Sequence, residues 1–188
     1  MELVVVLALF MLIMSVVVNM FTSIVQQQKR ILAEQELLNQ VSYVQEYVSR
    51  AVRSAVKDAA GDCLFDNENS YAGYIYLLTH YHGELGVYEG IKFITKDNIC
   101  QEFFVDSADG LLKEIKNGGS PQNILSAKFN LQHAIFIING DKEIYGATAS
   151  DARQPRVTMV IDVKNQTEGN PDKVFQTTVS QRNLNIPE

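Results

Sequence analysis

Met1-Glu2-Leu3-Val4-Val5-Val6-Leu7-Ala8-Leu9-Phe10-Met11-Leu12-Ile13-Met14-Ser15-Val16-Val17-Val18-Asn19-Met20-Phe21-Thr22-Ser23-Ile24-Val25 opens the chain with an almost wholly apolar run around which the rest is organised. Between Leu3 and Val25 its polar side chains are Ser15, Asn19, Thr22 and Ser23, and one acid, Glu2, stands in front. About 20 apolar residues are enough to cross the ~30 Å hydrocarbon core of a bilayer as a helix. Gln26-Gln27-Gln28-Lys29-Arg30 then ends the apolar run without ending a helix, because no Gly or Pro stands between Met1 and Ala60. The pattern predicts one helix, transmembrane over 1–25 and amphipathic over 26–60. At ~1.5 Å per residue it would be about 90 Å long.

The second part of that helix carries its own signal. Leu37, Val41, Val44, Val48, Ala51 or Val52, Ala55 and Ala59 recur in steps of three and four, with Glu34, Glu36, Glu46, Arg50, Arg53 and Lys57 largely between them. This is the seam of an amphipathic helix. Glu46 and Arg50 have the acid-before-base spacing of a helical pair, and Gly61 is the predicted stop. Packing against the chain's own domain is the expected use of the seam, ahead of a coiled-coil partner.

The remaining residues, 61–188, form a domain of common size. Short β-like runs replace the helical period: Tyr74–Leu78, Gly90–Thr95, Ile99–Val105, Leu111–Ile115, Phe129–Leu131 with Ala134–Ile138, Arg156–Val163 and Val174–Val179. The connections around Lys96-Asp97-Asn98 and Ser107-Ala108-Asp109-Gly110 are short, so the middle runs read as an antiparallel meander. The loop from Lys164 to Lys173 is the expected mobile segment. The fold class is therefore α+β, a long amino-terminal helix packed on an antiparallel β-sheet.

The formal charge of −6 over 188 residues gives no basic footprint, and no nucleic-acid partner is expected. The aromatic residues Tyr71, Tyr74, Tyr76 and Tyr81 are not interleaved with Lys or Arg, which argues against stacking on a nucleic acid. Cys63 and Cys100 can form one disulfide suited to an oxidising compartment, or remain two buried thiols. A cleaved signal peptide would show a basic front, a shorter apolar core and an Ala-x-Ala site; this run has none of them and reads as a retained anchor. Lys29 and Arg30 follow the span, so the positive-inside rule alone would put the domain in the cytoplasm.

Chemistry-bearing patterns are sparse. His80, His82 and Glu84 would share one face of a strand, but Gly83 and Gly86 favour a loop with surface histidines. Asp66-Asn67-Glu68-Asn69 lacks the spacing of a Ca²⁺ loop and reads as a solvated turn. Asn165-Gln166-Thr167 matches the glycosylation pattern. His133 sits beside the run Ala134–Ile138 as a structural residue ahead of a catalytic base. No nucleophile elbow, His-Glu-x-x-His or phosphate-binding Gly loop is present, so neither an enzyme, a cofactor nor a metal site is expected.

An apolar amino-terminal helix with a lone Glu near its start, running unbroken into an amphipathic half that backs a sheet, resembles the type IV pilin-like subunits. Glu2-Leu3-Val4-Val5-Val6 resembles the Glu-Leu segment that follows the processing site of that family. Gln154-Pro155-Arg156-Val157-Thr158 and Gln176-Thr177-Thr178-Val179-Ser180-Gln181-Arg182-Asn183 are similar to the ends of J-like minor pseudopilins. The family's leader and Gly-Phe-Thr-Leu segment are expected upstream of Glu2, and the leader's positive charge would reverse the orientation to one with the domain outside.

The resemblance implies a prepilin-type helix, processing with methylation of the new terminus, and an inner-membrane subunit with a periplasmic domain. It implies assembly into a type II secretion pseudopilus or a type IV pilus. Partners would be other pilin or pseudopilin subunits, the inner-membrane platform and the lipid bilayer. Glu2 would be the assembly residue, neutralising a neighbour's amino terminus. The alternative function is a membrane-tethered binding module, an adhesin or DNA-uptake receptor.

Overall fold

The computed structural model describes residues 2–66, 69–126, 129–139, 155–164 and 172–181. The chain divides into two compact units, 1–39 and 40–188. Helix α1, Glu2–Arg53, supplies the described part of the first unit and the opening element of the second.

In the first unit the large apolar side chains from Leu3 to Ile24 are between 42% and 73% accessible. The helix here is apolar except at Ser15, Asn19, Thr22 and Ser23, and its most apolar stretch is not buried at all. Ser15 and Thr22 hydroxyls donate back to the Leu12 and Val18 carbonyls, 2.8 and 3.0 Å, so these polar side chains are satisfied within the helix itself. The segment is long and apolar enough to cross a membrane.

In the second unit the seam closes. Val41, Val44, Val48 and Val52 are each at most 2% exposed, and Leu37, at the end of the first unit, is fully buried. Burial of each Val contributes on the order of 1.5 kcal/mol or more. The Tyr47 ring meets Phe103 edge-on, and its hydroxyl donates to the Glu114 carboxylate at 2.8 Å. Glu114 also accepts from Gln101 and pairs with Lys116 at 3.1 Å, so this buried acid is fully partnered.

The helix ends at Arg53, short of the predicted Gly61. Ser54 N–H and Oγ both bond back to the Ala51 carbonyl, and Ala55–Val56 leaves the helix to form strand β1 against Thr95 and Ile94. Sheet pairing, rather than a helix breaker, stops the helix. Tyr76 Oη donates at 2.8 Å to the Val52 carbonyl, which is one of the orphan acceptors of the last turn. Burial raises the pKa of this phenol. Ala55 is buried as a strand residue, while Ala59 is exposed.

The other strands are β2 Phe65–Asp66, β3 Asn69–Ser70, β4 Tyr76–His82, β5 Val87–Thr95, β6 Cys100–Asp106, β7 Leu111–Lys116, β8 Gln122–Asn123, β9 Asn130–Asn139, β10 Arg156–Lys164 and β11 Lys173–Ser180. Strands β5, β6, β7 and β8 follow one another in a meander, while β4 and β1 both pair with β5. A second sheet has the order β11-β10-β9, and β2 pairs with β3. All pairings are antiparallel. The fold is α+β, as the alternation of periods predicts.

The core lies on the face of the large sheet that carries Tyr76, Ile91, Phe93 and Phe103, joined by Phe136, Met159 and Ile161 of the second sheet. Asn98 and Asn117 take positive φ in the tight β5–β6 and β7–β8 connections. The expected mobile loop Lys164–Lys173, the Asn165 glycosylation pattern, Gln154, Arg182 and Asn183 lie wholly or largely outside the described residues, as does the centre of the Asp66–Asn69 turn.

Candidate functional site

Glu2 occupies the first turn of α1, where a carboxylate is favoured by the helix dipole, and it is solvent-exposed. Behind it an exposed apolar surface, broken only by Ser15, Asn19, Thr22 and Ser23, extends to Ile24. Monomeric soluble proteins rarely expose so large a contiguous apolar surface, which marks a membrane or a protein partner. This surface is the chief candidate site.

Cys63 and Cys100 are joined in a disulfide with a Cα–Cα separation of 5.5 Å. It ties the segment after β1 to the start of β6, with Leu64 and Ile94 buried against it. Closing a chain separation of 37 residues stabilises the fold by about 4 kcal/mol in the chain-entropy picture. The bond is compatible with an oxidising, extracytoplasmic location for the domain.

The same segment is organised by an acid that sequence patterns do not single out. Asp58 is buried, and its carboxylate accepts from the N–H groups of Gly61 (2.8 Å), Cys63 (2.9 Å) and Leu64 (2.8 Å). Burial alone would raise its pKa, but the backbone N–H groups of Leu64, Cys63, Gly61 and Asp62 outweigh it and the pKa falls. Gly61, at φ 75°, makes the turn: a Cβ there would meet the Ser70 hydroxyl. Its role is in this turn, not at the helix end.

The histidines depart from the expected loop. His80 and His82 lie on β4, and Glu84 falls in the turn beyond it, apart from them. A positive φ of 54° at His80 breaks the alternation that would put both rings on one face. The His80 ring stacks on Phe104 at 4.4 Å and its Nε2 lies 3.3 Å from Glu102, over Gly90, where a Cβ would collide with the ring. Burial pushes the Glu102 carboxyl up, but hydrogen bonds from His80 and Thr79 and the charges of His80 and Lys92 bring its pKa below the ordinary value. His82 instead meets His133 of β9, whose Nδ1 lies 2.8 Å from Glu89 of β5. His82, Glu89 and His133 form the group that could hold a metal among the described residues. No local spacing signals it, because its members come from three strands.

The tyrosines also gather in space. Tyr71, Tyr74, Tyr81 and Tyr88 line an open groove of about 600 Å³ with Phe65, whose ring carries Lys92 Nζ at 4.4 Å. Comparison with protein-family models, with curated proteins and with solved structures finds no match for this chain.

Proposed function

We propose that this chain is a minor pilin-like subunit of a type II secretion or type IV pilus machine. Residues 2–25 hold it in the inner membrane with the β-rich domain on the extracytoplasmic side. The same apolar surface then enters a helical filament beside the corresponding helices of other subunits. The observation that carries this reading is the exposed, all-round apolar helix running into a seam that backs a disulfide-bonded sheet domain.

Transfer from bilayer to filament exchanges lipid contacts for helix–helix packing, a change with no large hydrophobic cost. Glu2 is the polar exception. A carboxylate drawn to the bilayer centre costs about 2.5 kcal/mol or more. Pairing with the amino terminus of the next subunit offsets that cost and fixes the axial register. The inner-membrane platform and an ATP-driven motor supply the work, so the subunit itself catalyses nothing.

The test combines two readouts. The amino terminus of the protein isolated from its native membrane should be a methylated product of prepilin-type cleavage. Glu2→Ala should leave the domain's melting temperature unchanged while removing the chain from sheared filaments. Normal incorporation of that variant overturns the role given to Glu2. The aromatic groove favours a second reading, a membrane-tethered binding module. An unprocessed terminus with full activity at the membrane would promote it.

A further inference from the structure

Strands β4 and β5 of the large sheet and β9 of the second sheet meet at His82, Glu89 and His133. Each side chain offers one ligand atom, and those atoms all lie within 4.8 Å of one another. The two imidazole rings are 5.7 Å apart and perpendicular. We propose that this cluster binds a divalent first-row transition-metal ion of the Zn²⁺ class, which would fasten the β4–β5 hairpin to β9.

Two imidazoles and one carboxylate are a donor set that suits Zn²⁺ and its neighbours, and three protein ligands leave a fourth position for water. Metal–ligand bonds of about 2.0–2.2 Å in tetrahedral geometry set donor atoms about 3.3–3.6 Å apart. The Glu89–His133 contact of 2.8 Å is shorter than that spacing and the group's separations run to 4.8 Å, so binding would require side-chain rotation.

A plain Glu89–His133 hydrogen bond would account for those two groups alone. It leaves the buried Nδ1 of His82 with no hydrogen-bond partner among the described residues. It also leaves Asp162 unexplained. Asp162 stands directly across from His133 on β10, and its buried Oδ1 likewise has no partner among the described residues. Buried polar atoms are rarely left this way. Ligation through Nδ1 would satisfy His82, and a carboxylate beside a metal-bound histidine is the usual outer partner of the ring's second nitrogen. The side chain of His133 is 32% accessible and that of Glu89 12%, which leaves a path for the ion.

The test uses the full chain in detergent micelles, stripped with a chelator and titrated with Co²⁺, followed by competition with Zn²⁺. One equivalent should give a visible absorption band of low-coordinate Co²⁺, bleached by Zn²⁺, and the domain's melting temperature should rise with Zn²⁺ concentration. Loss of an outer partner alone costs 10–100-fold in affinity, so His82→Ala should cost at least ~100-fold. His80→Ala, on the opposite face, should bind as the parent does. Should His133→Ala or Glu89→Gln fail to fold, His82→Ala still decides, because no hydrogen bond from Nδ1 is lost with that ring. The absence of a band and of a melting shift at 100-fold excess metal overturns the proposal. So does undiminished binding by His82→Ala.

Discussion

Two stretches of α1 have the same backbone and opposite surroundings. From Leu3 to Ile24 nearly every position is apolar and all are exposed; from Val41 to Val52 a valine recurs at every third or fourth position, and those four valines are buried. The later stretch meets its partner within the chain, because a one-sided seam needs only one covering face. The earlier stretch, polar only at Ser15, Asn19, Thr22 and Ser23, has too little polar surface to suit water on all sides and is long and apolar enough to cross a membrane. The pattern of apolar residues thus distinguishes the part of the helix that completes a domain from the part whose apolar surface stays exposed.

The same charge placed in each stretch should have opposite effects. Val44→Asp puts a carboxylate where the valine is 1% exposed, and should cost more than about 4 kcal/mol, leaving the domain unfolded by circular dichroism. Val17→Asp, at a position 54% exposed, should leave the melting of the domain unchanged within about 0.5 kcal/mol. Its cost appears instead as about 2.5–3.5 kcal/mol against membrane insertion, read as the fraction resisting alkaline extraction. Equal loss of folding in both variants would mean that the first stretch is also part of a core.

Next in size is the disulfide. Replacing Cys63 and Cys100 together by Ser should lower domain stability by about 4 kcal/mol in denaturant titrations. The apolar stretch, outside the loop that the bond closes, should insert in membranes as before. A smaller effect is expected at Asp58. Asp58→Ala leaves three N–H groups without their acceptor and should cost about 3 kcal/mol. Because the folded pKa of Asp58 is depressed, its stabilisation is complete above the unfolded value of about 3.9 and is lost as pH falls through the folded value. Acid melting curves of the parent should therefore lose stability below about pH 4, and Asp58→Asn should flatten that part of the curve.

The sequence made the two regimes of α1 legible because the apolar run and the period of three and four are local signals. The meander through β5, β6 and β7 was equally legible from Asn98 and Gly110 at its turns. The end of the helix was not: Ala55 continues the helical spacing, and only its pairing with Thr95 makes it a strand residue. The sequence pattern places strand β4 too early, at Tyr74–Leu78, because Gly83 and the histidines look like a loop; pairing with Val87–Phe93 carries it on to His82. The His82–Glu89–His133 cluster was invisible for the same reason, being assembled by tertiary pairing alone. Asp58 left a faint signal, an acid three residues before a glycine, too common to single out.

The most direct measurement is photo-crosslinking in native membranes from a probe in place of Leu12, with a second probe in place of Tyr43 as the control. Both positions are exposed on the same helix, at 64% and 65%. The Leu12 probe should give adducts with lipid and, when filaments are induced, with the helices of other subunits, while the Tyr43 probe gives no lipid adduct. A Leu12 probe that reacts only within its own chain, or with water like the control, would contradict the claim that this surface is covered by bilayer and then by neighbouring subunits.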